Sequence, residues 1–268
     1  MPELPCEEAG IDPTGVEDPE FGVSGPKRLE RELESEVELR CTELSRCRIG
    51  SRHPSPEPER GMNPYPVPVL RGPMVDSSSV DLRGGGVRRA LFVDRDGTLN
   101  PDLHYLRDAD RLELFRGVGD ALALAHGHGY LVICVTNQSG VERGLYSRED
   151  VERIHQRLND LLRPHRAHVD AFYYCPHAPE TRCECRKPGT LLFRQARDEW
   201  KLDFDTSAII GDRDLDLAAG RELGLITAVV IPPGHEDDPT YAPLRSDGRA
   251  DVNASSFRNA VLRILAAG

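Results

Sequence analysis

Two aspartates two residues apart, Asp94-Arg95-Asp96, close a short apolar run and lead into Gly97-Thr98-Leu99. Carboxylates at that spacing can address one reacting centre as a chain leaves a sheet, one attacking while the other moves a proton. Gly97 permits the sharp turn that brings the second acid back. Alone, such a pair also reads as a turn and helix cap. Three further clusters follow in order. Thr136-Asn137-Gln138-Ser139-Gly140 offers a hydroxyl and several backbone N–H groups, which suit a phosphate oxygen. Arg186-Lys187-Pro188 places two cations before a helix, where they can neutralise a transferring phosphoryl group, Arg as a planar fork and Lys as a point charge. Gly211-Asp212-Arg213-Asp214-Leu215-Asp216 supplies hard oxygen ligands of the kind Mg²⁺ takes, and Asp216 can face the same way as Asp212 if a helix starts there. Each cluster has a bland reading as a strand-to-loop turn, a solvated basic pair or a helix cap. Their ordered recurrence at strand ends makes those readings hard to hold together.

A fifth cluster concerns a different metal. Cys175-Pro-His177 and Cys183-Glu-Cys185 put three thiols and an imidazole into eleven residues that run straight into Arg186 and Lys187. Four protein ligands of that kind form a closed tetrahedral set, the preference of structural zinc. The intervening residues, 178–182, are too few and too polar to pack alone, so zinc is expected to supply the fold energy there and to aim Arg186 and Lys187. The competing reading is free thiols on a surface loop.

The elements that must position these residues are legible as alternating patterns. Apolar strand runs are predicted at 90–94, 130–136, 169–174, 207–211 and 227–231. Helical spacing is predicted at 118–125, 148–162, 191–200, 215–223 and 257–265, with Ser147 and Asp150 as a capping pair and Gly224 as a stop. Alternating strands and helices imply an α/β, Rossmann-like three-layer sandwich around a parallel sheet. Asp94, Thr136 and Asp212 each end a strand run, and ligands in such sheets sit beyond the carboxyl ends of the strands, so the clusters should converge. No stretch between Leu99 and Thr136, or between Thr136 and Arg186, is long enough for a large cap domain. The site is therefore expected to be open, covered by loops at 100–111 and 140–147 and by the zinc-binding loop at 175–185.

Composition divides the chain. Its 268 residues hold 38% hydrophobics, 24 Gly and 21 Pro, which predicts a compact part diluted by an unfolded one. Residues 1–86 read as a disordered extension with a Pro-rich linker, and 87–268 as the folded domain. A short acidic helix at 28–42 would be marginal alone. Prolines at 54, 56, 58, 64, 66 and 68 favour extended polyproline II and cannot pair in a sheet. The extension also admits a sharper reading, a docking segment. Met62 and Met74 stand as alternative starts. A net charge of −11 argues against nucleic-acid binding. No apolar run reaches membrane-spanning length, and no export signal is visible, so a cytoplasmic, reducing location is expected, with the seven cysteines as thiols or metal ligands.

These motifs together resemble the haloacid dehalogenase superfamily, whose four motifs are matched by Asp94 to Leu99, Thr136, Lys187, and Asp212 with Asp216. The resemblance covers about residues 88–233. It implies a phosphoric monoester hydrolase in which Asp94 attacks phosphorus and forms an aspartyl phosphate. Asp96 would protonate the leaving oxygen and then activate water, with Thr136 and Lys187 holding phosphoryl oxygens. It further implies Mg²⁺ between the Asp94 carboxylate, the Asp96 main-chain carbonyl and Asp212. The zinc loop narrows the likeness to the branch containing D-glycero-D-manno-heptose 1,7-bisphosphate phosphatases and histidinol-phosphate phosphatases. Asn100-Pro-Asp102-Leu-His104-Tyr105, the Thr136 to Gly144 stretch and Phe172 to His177 look like the heptose enzymes. By that likeness Asp102, His104, Tyr105, Asn137, Gln138, Ser139 and Arg186 contact substrate. Arg213 stands where those enzymes commonly carry Lys, and is assigned to substrate too. The short zinc loop looks like the histidinol-phosphate enzymes.

The leading expectation is thus hydrolysis of a heptose bisphosphate to its monophosphate by a monomer acting on a small phosphorylated metabolite. Histidinol-phosphate hydrolysis is the alternative. An inactive zinc-containing scaffold is the alternative from another class.

Overall fold

The computed structural model describes residues 69–71, 88–239, 241, 243–244, 248 and 250–267. The acidic helix and the proline run lie outside the described residues. Within 1–86, Val69–Arg71 forms a strand, β1, although this stretch was expected to be unfolded. It follows Pro68, the last of the closely spaced prolines, and Val69, Leu70 and Arg71 each again carry an N–H for pairing.

The remaining strands are β2 (Arg89–Val93), β3 (Tyr130–Asn137), β4 (Ala171–Cys175), β5 (Ala208–Gly211), β6 (Ile226–Val230) and β7 (Val252–Ala254). Interleaved helices are α1 (Val118–Gly127), α2 (Arg148–Leu162), α3 (Leu191–Trp200), α4 (Asp214–Leu223) and α5 (Phe257–Ala267). The seven strands lie in the order β1-β4-β3-β2-β5-β6-β7. β2 to β7 are parallel, and β1 runs antiparallel along the outer edge of β4, pairing Val69 with Tyr173 and Arg71 with Ala171.

Alternation along β2 explains the three layers. Leu91 and Val93 pack with Val118, Leu122, Ile154, Leu158, Phe257 and Val261 on one face. Ala90 and Phe92 pack with Leu192, Phe193, Ala196 and Trp200 on the other. Successive side chains of a strand point to opposite faces, so a central strand covered by helices on both sides must be apolar throughout. The predicted caps are in place: Ser147 Oγ accepts the Asp150 N–H at 3.2 Å and Asp150 Oδ2 accepts the Ser147 N–H at 2.7 Å. Gly224 ends α4 at φ 74°. β7, three residues reading Val-Asn-Ala, was not predicted, being too short to show a period.

The chain winds outward from β2 through β3 to β4, then returns to place β5 on the other side of β2. That reversal is a topological switch point, where a crevice opens beyond the carboxyl ends of two neighbouring strands. β2 delivers Asp94 there and β5 delivers Asp212. Between Leu99 and α1 the described chain forms one short 3-10 turn, Ala109–Arg111, and this stretch builds no cap domain.

Candidate active site

Asp94 leaves β2 while its N–H still donates to the Ile210 carbonyl of β5 at 3.0 Å, so the nucleophile candidate is fixed to the sheet. Its Oδ1 accepts the Arg95 N–H at 2.7 Å and lies 2.9 Å from Lys187 Nζ. Lys187 is 2% exposed and also pairs with Asp216 Oδ1 at 2.6 Å. Asp216 holds position from the first turn of α4, where its Oδ2 accepts the Arg213 N–H at 3.1 Å. The bland and functional readings of Asp216 therefore coincide: it caps a helix and seats the lysine.

Asp212 is completely buried. Tyr241 donates its hydroxyl to Oδ2 at 3.2 Å and Thr98 donates to Oδ1 at 3.4 Å. Carboxylate oxygens of Asp94, Asp212 and Asp216 all lie within 4.8 Å of one another. Burial first, then Asp94 and Asp216, pushes the Asp212 carboxyl well above its ordinary range. Burial likewise lifts Asp94 to about 6, with Lys187 opposing and Asp216 adding to the rise. Lys187 lies between Asp94 and Asp216, and Arg213 Nε reaches Asp212 Oδ2 at 3.4 Å, so three close carboxylates still outnumber their two cations in a dry place. Gly97 makes the approach possible: it sits at φ +80°, and a Cβ there would come within 2.4 Å of Asp212 Oδ2. An oxygen-only donor set with surplus negative charge fits a hard divalent cation such as Mg²⁺.

Asp96 turns its carboxylate away from this cluster. Arg95 approaches it as a fork, Nε to Oδ1 at 3.2 Å and Nη2 to Oδ2 at 2.6 Å. Asn100 Nδ2 donates to Oδ1 at 3.0 Å and Gln138 Nε2 to Oδ2 at 2.9 Å. Burial opposes ionisation, yet Arg95, Asn100 and Gln138 together hold the Asp96 carboxyl below its ordinary range. Two neighbouring aspartates are thereby driven apart in acidity, the pattern expected of groups with different tasks.

The zinc-ligand candidates converge as well. Cys175, Cys183 and Cys185 place their Sγ atoms 3.4–3.5 Å apart, and His177 Nδ1 lies 3.1 Å from Cys185 Sγ and 3.5 Å from Cys175 Sγ. A tetrahedron with Zn–S bonds of about 2.3 Å has edges of roughly 3.8 Å, so the cage is only a few tenths of an ångström tight. Three thiols and an imidazole at this spacing fit zinc. Glu142, from the loop after β3, straps the cage in place by accepting the Ala178 N–H and the Thr181 hydroxyl. Arg186 Nη1 donates to the His177 carbonyl at 3.2 Å, which ties Arg186 to the cage.

A family model described as HAD-hydrolase-like matches residues 184–245. A D-glycero-β-D-manno-heptose-1,7-bisphosphate 7-phosphatase of Haemophilus ducreyi is 37% identical over 154 residues, spanning 55% of this chain and 85% of that protein. A protein of the same name from Pasteurella multocida is 33% identical over 173 residues, 62% of this chain and 90% of that one. The crystal structure of a D,D-heptose 1,7-bisphosphate phosphatase from B. bronchiseptica, complexed with magnesium and phosphate, superposes with a TM-score of 0.60 at 26% identity. It covers 67% of this chain and 99% of that one. The chain belongs to the heptose bisphosphate phosphatase branch of the haloacid dehalogenase superfamily.

The structure of this phosphatase sorts the residues expected to touch substrate. Asn137 is committed to the backbone of Lys187: its Oδ1 accepts the Lys187 N–H at 3.0 Å and its Nδ2 donates to the Lys187 carbonyl at 3.3 Å. Gln138 is 2% exposed and donates to both Asp96 and Thr136 Oγ1. Both side chains thus make hydrogen bonds within the protein, Asn137 half-buried and Gln138 buried. They are amides, whose paired donor and acceptor suit cross-bracing between loops. Thr136 is buried at the end of β3, and Ser139 stands half-buried just beyond it. Asp102, His104 and Tyr105 are exposed on the loop over the site, and Asp102 pairs with Arg213 at 2.9 Å. His104 and Tyr105 both sit at positive φ, 44° and 53°. Two consecutive left-handed non-glycine residues cost of order 1–3 kcal/mol each, a strain typical of ligand-facing loops.

The sequence reading did not single out Arg95, Asn100, Glu142, Tyr146, His155 or Tyr241. Arg95 carried a signal, a cation between two acids after an apolar strand. Tyr241 carried none, since it reaches Asp212 from 29 residues away. No helix among the described residues is long and apolar enough to cross a membrane.

Proposed function

We propose that this phosphatase hydrolyses one phosphate of D-glycero-D-manno-heptose 1,7-bisphosphate, leaving the heptose monophosphate. The observation that carries the reading is the Asp94–Lys187–Asp216 chain at the switch point, with Asp212 buried beside it. The names of the relatives supply the substrate.

The residues divide the work as follows. Asp94 has one oxygen fixed by the Arg95 N–H and Lys187, which leaves the carboxylate aimed for attack on phosphorus. The bond from phosphorus to the sugar oxygen breaks as the Asp94–phosphorus bond forms. Asp96 gives its proton to that departing oxygen. Because Asp96 rests ionised, it takes up that proton as the substrate dianion enters, since a nearby negative charge raises a carboxyl pKa. Water then attacks the aspartyl phosphate, Asp96 takes the water's proton, and inorganic phosphate leaves with Asp94 restored. Lys187 and Thr136 hold phosphoryl oxygens. Asp94, Asp212 and the Asp96 carbonyl would hold Mg²⁺, which offsets repulsion between the carboxylate and the phosphate. Cys175, His177, Cys183 and Cys185 would hold zinc as a structural clip. Arg213, His104, Tyr105 and Arg186 would meet the sugar hydroxyls and the second phosphate.

The test is phosphate release, with and without Mg²⁺, across heptose bisphosphates, histidinol phosphate and other small phosphomonoesters. The reading predicts the highest kcat/KM for a heptose bisphosphate. A preference for histidinol phosphate above about 100-fold, equivalent to ~2.7 kcal/mol of transition-state discrimination, would overturn it.

A further inference from the structure

We propose that Arg95 is the positioning residue of the general acid–base, fixing the plane of the Asp96 carboxylate toward the substrate's leaving oxygen. This inference rests on the acid–base reading of Asp96 given above.

Arg95 is the largest fully buried side chain among the described residues. Residues next to one another in a regular strand or helix point apart, so a side-chain fork between i and i+1 needs a bend. The bend between Asp94 and Gly97 provides it, and Arg95 closes on Asp96 through two bonds of 3.2 and 2.6 Å. A carboxylate has about four lone-pair sites, and Asn100 and Gln138 fill the other two. To meet the leaving oxygen, Asp96 must release a partner. The guanidinium–carboxylate fork is bidentate and ionised on both sides, whereas each amide bond is charged on one side only, so an amide yields first and the fork remains as the pivot.

The guanidinium is itself held from behind. Its Nη1 lies 3.5 Å from His155 Nε2, and its Nη2 donates to Gln138 Oε1 at 3.3 Å. His155 stacks on Phe172 with ring centroids 4.2 Å apart and planes 10° from parallel, which fixes the imidazole under Arg95. Tyr146 donates its hydroxyl to the same Gln138 oxygen at 2.8 Å. Its ring lies so close over Gly140 that a Cβ there would come within 2.2 Å. Burying an arginine this deeply is costly unless its charge is matched. A surface loop with no task for Asp96 would need neither the burial nor the backing.

A general acid matters most when the leaving group is a poor one. The experiment compares kcat/KM on a sugar phosphate with kcat/KM on 4-nitrophenyl phosphate, whose phenolate leaves without help. Full-length enzyme with Mg²⁺ and zinc is used. Arg95→Lys keeps the charge but not the fork, and folding is checked by thermal melting. Arg95→Lys is expected to lower kcat/KM on the sugar phosphate about 10-fold or more while changing the nitrophenyl value less than about 3-fold. Arg95→Met should widen that gap. Equal losses on both substrates by a folded Arg95→Lys, or no loss on either, overturn the inference. Asp96→Asn runs alongside as the reference. If it shows the gap and Arg95→Lys does not, positioning by Arg95 fails alone. If Asp96→Asn shows no gap, the acid–base reading fails and takes the inference with it.

Discussion

The sheet carries a cluster of buried acid at each end, and the two are balanced in opposite ways. Beyond the carboxyl ends of the strands, Asp94, Asp212 and Asp216 crowd around one lysine, and burial drives Asp212 and Asp94 toward the neutral form. At the amino end, Asp170 enters β4 with His126 Nε2 at 3.2 Å, His168 Nε2 at 3.1 Å and the Val132 N–H at 2.7 Å. Burial there works against ionisation too, but His126, His168 and Val132 outweigh it and pull Asp170 down to about 2. A buried acid supplied with donors is a finished structural joint. A buried group of acids that outnumbers its cations suits a cation and an anion arriving together, as the proposed reaction requires. Perturbed acidity marks both places, and its direction sets Asp94 and Asp212 apart from Asp170, whereas Asp96 is held down by its donors as Asp170 is.

That contrast can be broken at several points. Asp94→Asn removes the proposed nucleophile from the unbalanced end, and phosphate release is expected to fall at least about 10³-fold with little change in melting temperature. Stripping zinc, or Cys183→Ser, lets the cage go and loosens Arg186 and Lys187. Turnover should then fall by roughly 10–100-fold, in line with losses of supporting groups at other sites, while far-ultraviolet circular dichroism stays unchanged. The His168 titration followed by nuclear magnetic resonance should not move, because it belongs to the other end.

The balanced end gives the pH dependence. A carboxyl whose folded pKa is depressed stabilises the fold above its unfolded value and loses that contribution as pH falls through the folded value. For Asp170 that window runs from about 4 down to about 2, and the contribution is about 2 kcal/mol. His168 has the opposite sign. Its pKa is raised above 6.5 through its hydrogen bond to Asp170, so its contribution is complete below 6.5 and fades as pH rises through the raised value. Denaturant unfolding of Asp170→Asn across pH 2–8 checks both, and a parallel offset at every pH would contradict them. The smallest effect is expected at Asp212. In metal-free protein at pH 8, Asp212→Asn should raise stability by about 1 kcal/mol, roughly 2–4 °C, by removing a like charge. The same substitution at Asp170 should lower it.

Much of this was readable in advance because the working residues sit at the ends of regular elements. Asp94 and Asp212 close apolar runs that can only be buried parallel strands, so their meeting followed from topology. The cage of Cys175, His177, Cys183 and Cys185 is local in sequence, and its spacing declared it. What stayed hidden depended on side-chain direction. Asn137 and Gln138 stand in the expected loop, but their bonds to the Lys187 backbone and to Asp96 could not be read from spacing. Arg95 was hidden because a cation beside two acids reads as solvated until burial is known. Tyr241 comes from a segment with no periodicity, and nothing near it in sequence foretells its reach to Asp212. β1 was passed over because three residues after a run of prolines show neither alternation nor length.

That short strand has a consequence for the solubility of shortened forms. It lies along the flank of β4, where Ala171–Tyr173 would otherwise present unpaired amide and carbonyl groups. A bare sheet flank of that kind recruits strands from other molecules. A form beginning at Met74 would lack Val69–Arg71, and light scattering should show it associating with itself at concentrations where the full chain does not.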